Sequence, residues 1–322
     1  MRNAIILILL LLAGLVRADE RKLQVFVFAG QSNMVGKRSR AEDLSNPQFR
    51  EQKNLAFKDG QWLPVKPGNT QNPEYEGFGP EISFAQAMSE ALGHPVGIIK
   101  YSVGGTNLAK QWNVESTAED ALYPKLKGLV EQARKKRDSE VVGLLWMQGE
   151  ADSKTTETAR HYAGNLAGLI ARARMDFGNS DMFFVAGRIN PEKEGFDPEG
   201  VRLVRTAFEE CAVAGYAWVD CDDLPKVVDK VHYDTKGQEI LGKRMAESML
   251  KLMGDRPTTA PPATDLSARP SLPAQEPPTV HTPDPDSARN AGGLLERGHS
   301  SILRRERNSA DSPSSQSITS KK

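Results

Sequence analysis

Serine, histidine and aspartate occur in this chain where they can form a nucleophilic unit. Ser32 lies in the stretch Gly-Gln-Ser-Asn-Met at Gly30–Met34, and Asp229 precedes His232 by three residues. A serine hydroxyl is a weak nucleophile at neutral pH and needs an adjacent general base, for which histidine, with an ordinary pKa of about 6.5, is suited. An acid must hold the second imidazole nitrogen. The residue types predict acyl transfer with Ser32 as nucleophile, His232 as base and Asp229 as orienting acid.

Donors for a developing oxyanion are also available in the sequence. Charge on a carbonyl oxygen needs fixed hydrogen-bond donors, and glycine lets the backbone approach closely. The backbone N–H groups of Ser32 and of Gly104 or Gly105 are predicted to supply two donors, and the side-chain amide of Gln148 a third. Each feature alone also has a purely structural interpretation. Ser32 could be a helix N-cap, Gly104-Gly105 a turn, and Gln148-Gly149-Glu150 a capped helix start. Asp229 and His232 could be a pair on a surface loop.

The elements that would hold these residues alternate between strand and helix. The strand-like runs are continuously apolar, which indicates a parallel sheet buried on both faces in a doubly wound α/β fold. Ligands bind beyond the carboxyl ends of such strands, where the candidate residues follow. The predicted strands are Leu23–Ala29, Val96–Ser102, Val141–Met147, Met182–Ile189 and Tyr216–Asp220. The predicted helices are Glu81–Leu92, Ala118–Arg137, Thr155–Phe177, Val201–Ala214 and Thr235–Met253.

Three segments fall outside this alternation. Arg2 followed by the apolar run Ala4–Val16 predicts a signal peptide over residues 1–18, cleaved after Ala18, and hence a secreted or periplasmic protein. Residues 19–254 form the predicted catalytic domain, within which Arg38–Phe78 is predicted to be a long loop that shapes the site. Residues 255–322 are rich in Pro, Ser and Arg and predict a disordered tail.

Composition excludes several classes of function. Lysine plus arginine total 42, as do aspartate plus glutamate, so no net field favours nucleic acid or an anionic membrane. The apolar N-terminal run is shorter than the roughly 20 residues of a bilayer span, so stable membrane insertion is not expected. Two cysteines make no disulfide scaffold, and no zinc-like spacing is present. We expect no metal and no cofactor.

The combination of motifs resembles a known family. Gly30–Met34, Gly104–Thr106 (Gly-Gly-Thr), Gln148–Asp152 (Gln-Gly-Glu-Ala-Asp) and Asp229–Gly237 are similar to the sialate O-acetylesterase-type branch of the SGNH hydrolases, related to carbohydrate esterase family six and its acetylxylan esterases. The resemblance covers Leu23 to Leu252. It implies a flavodoxin-like three-layer sandwich with a five-stranded parallel sheet.

The resemblance also implies roles for the site residues. It makes Ser32, His232 and Asp229 the triad, and gives Gln148 the oxyanion role that asparagine has in other SGNH enzymes. Met147 departs from the family pattern, since many relatives carry histidine before Gln-Gly-Glu.

Four further side chains have predicted supporting roles. Glu150 and Asp152 either replace Asp229 as the acid that orients His232 or hold neighbouring site residues in position. Asn33 is predicted to bind substrate. Trp112 either stacks on a sugar face or belongs to the core, and both interpretations stay open.

The leading hypothesis is an exported carbohydrate O-acetylesterase that works through an acetyl-serine intermediate, with an acetylated carbohydrate as its partner. The alternatives are a lipase, thioesterase or arylesterase on the same scaffold, or a carbohydrate-binding protein without turnover. The sequence sets neither the sugar nor the oligomeric state.

Overall fold

A computed structural model describes residues 22–73 and 77–255 of the chain. Its strands are β1 (Leu23–Gly30), β2 (Leu55–Lys58), β3 (Gln61–Pro64), β4 (Gln71–Asn72), β5 (Gly97–Ser102), β6 (Ser139–Met147), β7 (Phe183–Gly187) and β8 (Tyr216–Val219). Its α-helices are α1 (Ser32–Val35), α2 (Glu81–Leu92), α3 (Tyr123–Lys136), α4 (Thr156–Ala159), α5 (Tyr162–Asp176), α6 (Pro198–Glu209) and α7 (Thr235–Gly254). The predicted signal peptide (1–18) and residues 256–322 of the predicted tail lie outside the described residues.

A single sheet runs through the described residues in the order β3-β2-β5-β1-β6-β7-β8, with β4 paired to β5. Every pairing is parallel except that of β2 with β3. The central register places Gly30 beside Ser102 of β5 and Met147 of β6. The carboxyl ends of β1, β5 and β6 therefore reach the same edge of the sheet.

Helices cover both faces of the sheet and make the predicted three layers. On one face, Phe26 and Phe28 of β1 each meet Phe84 of α2 edge-on, with ring centroids 5.1 Å apart. On the other face, the indole of Trp146 in β6 donates to the hydroxyl of Tyr162 in α5 at 3.1 Å. Strand β7 and most of β1 and β6 are apolar because both of their faces are buried under helices.

The five predicted strands are all present, but the sheet is wider than five strands. The three additional ones, β2, β3 and β4, lie in the segment 38–78 that was predicted to be a loop. That prediction was wrong because these strands are only two to four residues long, too short for a periodic pattern. They form by pairing with each other or with β5.

Buried polar groups connect residues 38–78 to the rest of the domain. Lys100 of β5 and Glu81 of α2 form an ion pair of 2.7 Å, and both side chains are fully buried. The Thr70 hydroxyl donates to the other oxygen of Glu81 at 2.6 Å. The pair is thus hydrogen-bonded as well as buried, which a buried charge requires.

All five predicted helices are present, but two have shifted bounds: the predicted Ala118–Arg137 begins at Tyr123, and the predicted Val201–Ala214 runs from Pro198 to Glu209. The predicted helix Thr155–Phe177 is two helices, α4 and α5, separated at Arg160–His161. Cys211 and Cys221 are both free thiols. No helix among the described residues has the length and apolar character needed to cross a membrane.

Candidate functional site

The turn after β1 presents Ser32 at the edge of the sheet. Gly30 has φ of +145°, and a Cβ there would lie 2.1 Å from the carbonyl oxygen of Met147, so only glycine fits. The N–H of Gln31 donates to the same Met147 oxygen at 2.9 Å. Ser32 then begins the single-turn helix α1. The nucleophile is thus fixed against the end of β6.

The loop before α7 carries His232 and orients it internally. One carboxylate oxygen of Asp229 accepts the N–H groups of Val231 at 3.0 Å and of His232 at 2.9 Å. The other carboxylate oxygen lies 2.7 Å from Nδ1 of the His232 ring. Asp229 therefore holds both the backbone and the imidazole of the histidine.

The histidine in turn reaches the serine. Nε2 of His232 lies 3.0 Å from Oγ of Ser32, although the two residues are 200 positions apart. With an ionised Asp229 as acceptor, Nδ1 carries the ring proton and Nε2 keeps its lone pair for the hydroxyl. The three groups form one chain of hydrogen bonds with the polarity that acyl transfer requires.

The electrostatics of Asp229 favour its ionised form. Burial opposes ionisation, but hydrogen bonds from the backbone and ring of His232 and from the N–H of Val231 outweigh it and lower the pKa of Asp229 to about 2. The guanidinium of Arg38 lies 3.8 Å from the same carboxylate. Asp229 is therefore ionised, and an acceptor, well below neutral pH.

Ser32 and His232 open onto a cleft of about 350 Å³. Its walls include Gln31, Gly105 and Glu150, and part of its rim is the segment Lys193–Phe196. A cleft of this size admits a small ligand or one unit of a polymer. None of the described residues form a cluster of three or more His, Cys, Asp or Glu that could hold a metal ion.

Backbone N–H groups at the cleft are available to a ligand. Among the hydrogen bonds between described residues, none uses the N–H of Ser32, Gly104 or Gly105 as donor. Gly104 faces the nucleophile, since a Cβ there would lie 3.6 Å from Cβ of Ser32. Gly105 lines the cleft with φ of +73°. The structure thus leaves the donors that the sequence predicted unpartnered beside Ser32.

The structure does not bring the amide of Gln148 to the cleft as predicted. Gln148 is fully buried, and its Nε2 donates to Oδ2 of Asp152 at 2.6 Å and to the carbonyl oxygen of Thr106 at 3.0 Å. Both amide protons are therefore used inside the protein. The prediction overlooked that a strand-end amide can be buried by the loop that follows the neighbouring strand.

Gln31, unlike Gln148, presents its amide to the cleft. Its Oε1 accepts from the N–H of Ala151 at 3.2 Å and lies 3.3 Å from Nε2 of Gln148, whose two protons have shorter bonds to Asp152 and Thr106. The Ala151 N–H requires an oxygen, so the –NH₂ end is the polar group of Gln31 for the cleft that it lines. The sequence signal was the position of Gln31 directly before the nucleophile.

Neither alternative acid reaches the histidine. Asp152 accepts from the N–H of Leu108 at 2.9 Å and from Gln148, and so anchors the loop after β5. Glu150 lies at the cleft, but its Oε1 accepts from Nδ2 of Asn33 at 2.7 Å. Burial raises the pKa of both carboxyl groups. Asp229 is the carboxylate that the structure places against the imidazole.

Two predicted substrate contacts are corrected. The Asn33 side chain is buried and donates to Glu150 and to the carbonyl oxygen of Val231, so it does not face the cleft. Trp112 is fully buried; its indole N–H donates to the hydroxyl of Thr106 at 3.0 Å, and its ring packs edge-on against Trp146. The core interpretation of Trp112 is the one that holds.

The cleft also has a wall that sequence reasoning missed. Lys193, Glu194 and Phe196 line it from the segment between β7 and α6. This segment carries no motif and no apolar period, and it reaches the site only because β7 ends at the same edge of the sheet as β1.

The fold is an α/β sandwich, and the site aligns Ser32, His232 and Asp229 at the carboxyl edge of its mostly parallel sheet, the arrangement of a serine hydrolase. The sequence model of the family described as carbohydrate esterase, sialic acid-specific acetylesterase matches residues 22–251. The chain belongs to this family of carbohydrate esterases, and the resemblance inferred from its motifs is confirmed.

Individual relatives agree with this assignment. The chain is 26% identical over 245 residues to the Arabidopsis thaliana protein named Probable carbohydrate esterase At4g34215, a match that spans 70% of this chain and 90% of the relative. The crystal structure of that plant protein has a TM-score of 0.63 at 24% identity and covers 72% of this chain and 99% of its own.

Two further solved structures share the fold. NanS has a TM-score of 0.58 at 16% identity, over 73% of this chain and 98% of its own. A carbohydrate acetylesterase from Xanthomonas citri has a TM-score of 0.55 at 19% identity; the match covers 72% of this chain and 57% of that protein. These similarities confirm the flavodoxin-like hydrolase fold.

Proposed function

We propose that the protein is an exported carbohydrate O-acetylesterase that removes acetyl groups from sugars through an acetyl-serine intermediate on Ser32. The observation that carries the proposal is the aligned set of hydrogen bonds at the cleft: Ser32 Oγ to His232 Nε2 at 3.0 Å, and His232 Nδ1 to Asp229 at 2.7 Å. Membership of a carbohydrate esterase family supports the class of substrate.

Acylation would proceed by proton transfer along this line. As Oγ of Ser32 bonds to the acetyl carbon, its proton moves to Nε2 of His232, and the carbonyl electron pair moves onto the carbonyl oxygen. The imidazolium that forms is stabilised by Asp229. When the bond between the acetyl carbon and the sugar oxygen breaks, the imidazolium gives its proton to that oxygen, and the sugar leaves as an alcohol.

Deacylation would repeat these steps with water. The water oxygen bonds to the acetyl carbon, and one water proton moves to Nε2 of His232. Collapse of the tetrahedral intermediate releases acetic acid, and Oγ of Ser32 recovers the proton. In both halves, the N–H groups of Ser32 and of Gly104 or Gly105 and the amide –NH₂ of Gln31 are the donors that face the oxyanion.

A turnover assay on acetylated sugars tests the proposal. The Ser32→Ala variant should lose hydrolysis to near background, while Ser180→Ala, an exposed serine, should match the parent enzyme. His232→Ala should be similarly inactive, and the double variant no slower than either single one, because the two residues act as one unit. Hydrolysis that survives Ser32→Ala would overturn the acetyl-serine mechanism and leave another esterase class, whereas a parent protein without any hydrolysis would leave a binding protein.

Export rests on the N-terminal sequence alone. Residues 1–18 combine a positive start, an apolar run and small residues before the cleavage position. Mature protein recovered outside the cytoplasm should begin at Asp19. An intact N-terminus on protein that stays in the cytoplasm would contradict export without affecting the esterase proposal.

A further inference from the structure

Asn33, the residue after the nucleophile, uses its whole side-chain amide inside the protein. Its Nδ2 donates to Oε1 of Glu150 at 2.7 Å and to the carbonyl oxygen of Val231 at 3.0 Å. Its Oδ1 accepts from the N–H of Tyr233 at 3.1 Å. A primary amide has two protons to donate, and both are engaged.

Two of these partners flank the catalytic histidine. Val231 and Tyr233 are the neighbours of His232 on either side, so Asn33 holds the backbone of the histidine loop on both sides of the base. The carbonyl oxygen of Asn33 accepts from Nε2 of Gln238 in α7 at 2.9 Å, which ties the same turn to the helix that follows the loop.

The orientation of the Asn33 amide is set by Tyr233 and supported by Glu150. The N–H of Tyr233 requires an oxygen, so Nδ2 of Asn33 must point the other way, toward Val231 and Glu150. Glu150 supplies a buried acceptor there with Oε1, while its Oε2 has no hydrogen-bond partner among the described residues. The position of Glu150 is therefore explained by its bond to Asn33.

The other contacts of the loop lie within it or come from chain outside the turn that carries Ser32. Within the loop, Asp229 accepts from the N–H groups of Val231 and His232. From outside, the N–H of Glu192 donates to the carbonyl oxygen of Lys230 at 3.0 Å, and the guanidinium of Arg38 lies 3.8 Å from Asp229. Among the described residues, the bonds of Asn33 and the contact between His232 and Ser32 itself are those that join the loop to that turn.

We propose that Asn33 and Glu150 are positioning residues that set the distance between His232 and Ser32. Because Asn33 is covalently joined to Ser32, its bonds to Val231 and Tyr233 place the base relative to the nucleophile directly. This inference rests on the proposed role of Ser32 and His232. It assigns Asn33 and Glu150 to the alignment of the base, in place of the substrate and acid roles that their sequence positions suggested.

The decisive variant is Asn33→Asp, which changes one –NH₂ group to an oxygen at nearly constant volume. That oxygen would face two acceptors, the Val231 carbonyl and Glu150, and should push the loop outward. A displacement of the base by about 1 Å lowers the rate on the order of 10²-fold. We expect kcat to fall by about 10²-fold and KM to change little, with Asn113→Asp at an exposed asparagine as the matched control.

A second substitution at Glu150 should restore part of the loss. Glu150→Gln alone keeps an Oε1 acceptor for Asn33, and we expect it to lower kcat less than fivefold. In the double variant Asn33→Asp with Glu150→Gln, the new amide can donate to the new carboxylate, so the polarity of the pair is reversed. We expect the double variant to be at least fivefold faster than Asn33→Asp alone, whereas a general loss of folding would be worse in the double variant.

Labelling of Ser32 by a fluorophosphonate measures the serine–histidine pair without any acetylated sugar. Slow labelling of Asn33→Asp, partly recovered in the double variant, supports the inference. If Asn33→Asp is labelled as fast as the parent, or the double variant is no faster than Asn33→Asp, the inference is wrong. Normal labelling of the parent without acetyl ester hydrolysis would refute the proposed function alone, and no labelling of the parent would refute both.

Discussion

At the scale of single residues, the site depends on which groups still have a free donor or acceptor. Gln148 has used both of its amide protons, whereas the –NH₂ group of Gln31 has no acceptor among the described residues and lies at the cleft. A buried amide with satisfied bonds stabilises its surroundings, and an unsatisfied one at a cleft is available to a ligand. The assignment of the third oxyanion donor follows from this difference.

The oxyanion assignment is tested by Gln31→Ala. The variant should lower kcat by about 10²–10³-fold with little change in KM, because the donor acts mainly on charge that develops in the transition state. The measurement is steady-state hydrolysis of an acetyl ester beside a thermal melt.

Gln148→Ala is the matched comparison. It removes the side-chain donor of buried Asp152, which then keeps only backbone donors such as the N–H of Leu108, so it should lower the melting temperature more than Gln31→Ala does. If Gln148→Ala reduced kcat by at least 10²-fold at unchanged stability while Gln31→Ala had little effect, the original assignment of Gln148 would be restored.

The acid of the triad is tested by the pH dependence of stability. The pKa of Asp229 is about 2 in the folded chain against an ordinary value of 3.8. Its ionised form therefore stabilises the fold above about pH 4, and this contribution disappears as the pH falls toward about 2. The difference in unfolding free energy between the parent and Asp229→Asn should be constant above about pH 5 and shrink below it, as urea titrations at each pH would measure.

A difference that stays constant down to pH 2 would mean that Asp229 is not held by the His232 loop. The same variant should hydrolyse acetyl esters far more slowly at neutral pH, because an amide can leave the imidazole in the wrong tautomer. Glu150 does not contact the histidine, so Glu150→Gln should lower the rate of hydrolysis less than Asp229→Asn does.

At the scale of elements, the junction of β1 and α1 sets the position of Ser32. Gly30 must adopt a backbone conformation that other residues avoid, and it does so in contact with the end of β6. The same close approach brings the N–H of Gln31 onto the Met147 carbonyl. The strand end is thus rigid, and a nucleophile on a rigid element is held more accurately than one on a loop.

Replacement of Gly30 by alanine tests this junction. The added methyl group would overlap the Met147 carbonyl, and the backbone conformation alone disfavours alanine by about 1–3 kcal/mol. We expect Gly30→Ala to lower stability by at least about 2 kcal/mol and to reduce turnover further than the loss of folded protein explains. Chemical denaturation and activity per folded molecule are the two measurements.

Gly60→Ala is the control for Gly30→Ala. Gly60 also has a positive φ, of 74°, but a Cβ there meets nothing within 4 Å. The Gly60→Ala variant should therefore lose stability through its backbone conformation and keep its activity. Equal effects of the two variants on activity would show that the contact with Met147 does not position Ser32.

At the scale of the whole molecule, the core and the site are contained in the described part of the chain. The buried apolar residues extend from Leu23 in β1 to Met249 in α7. Residues 256–322 have a composition that does not favour a packed core. We therefore expect the catalytic domain to need α7 but not the sequence that follows Asp255.

Truncation after Asp255 should leave acetyl ester hydrolysis and the melting temperature nearly unchanged. A second truncation after Gly242 serves as the control, because it removes the buried side chains of Met245 and Met249 and should abolish cooperative folding. If the first truncation lowered the melting temperature by more than a few degrees, the C-terminal segment would contribute to the stability of the catalytic domain.

Much of the fold could be predicted because it depends on local patterns. Glu81–Leu92 was predicted to the residue, and the five main strands were located within two residues at each end, since buried parallel strands are continuous apolar runs bounded by polar residues. The strands β2, β3 and β4 were missed because two to four residues are too few for a local period; β3 pairs with the adjacent β2, and β2 and β4 pair with β5.

The sequence by itself determined the family of this protein, and its residue types and motif spacing identified Ser32, His232 and Asp229 as the candidate site, which the fold brings together. Only the tertiary structure decided which of the neighbouring polar residues face the cleft and which are bonded inside the protein. Gln31 and Gln148, or Asn33 and Glu150, are equivalent candidates in a linear sequence, because each is a polar side chain at a strand end. Their roles differ because burial and hydrogen-bond partners, which arise only when β1, β6 and the His232 loop meet, use up the donors of Gln148 and Asn33 and leave those of Gln31 and Ser32 facing the cleft.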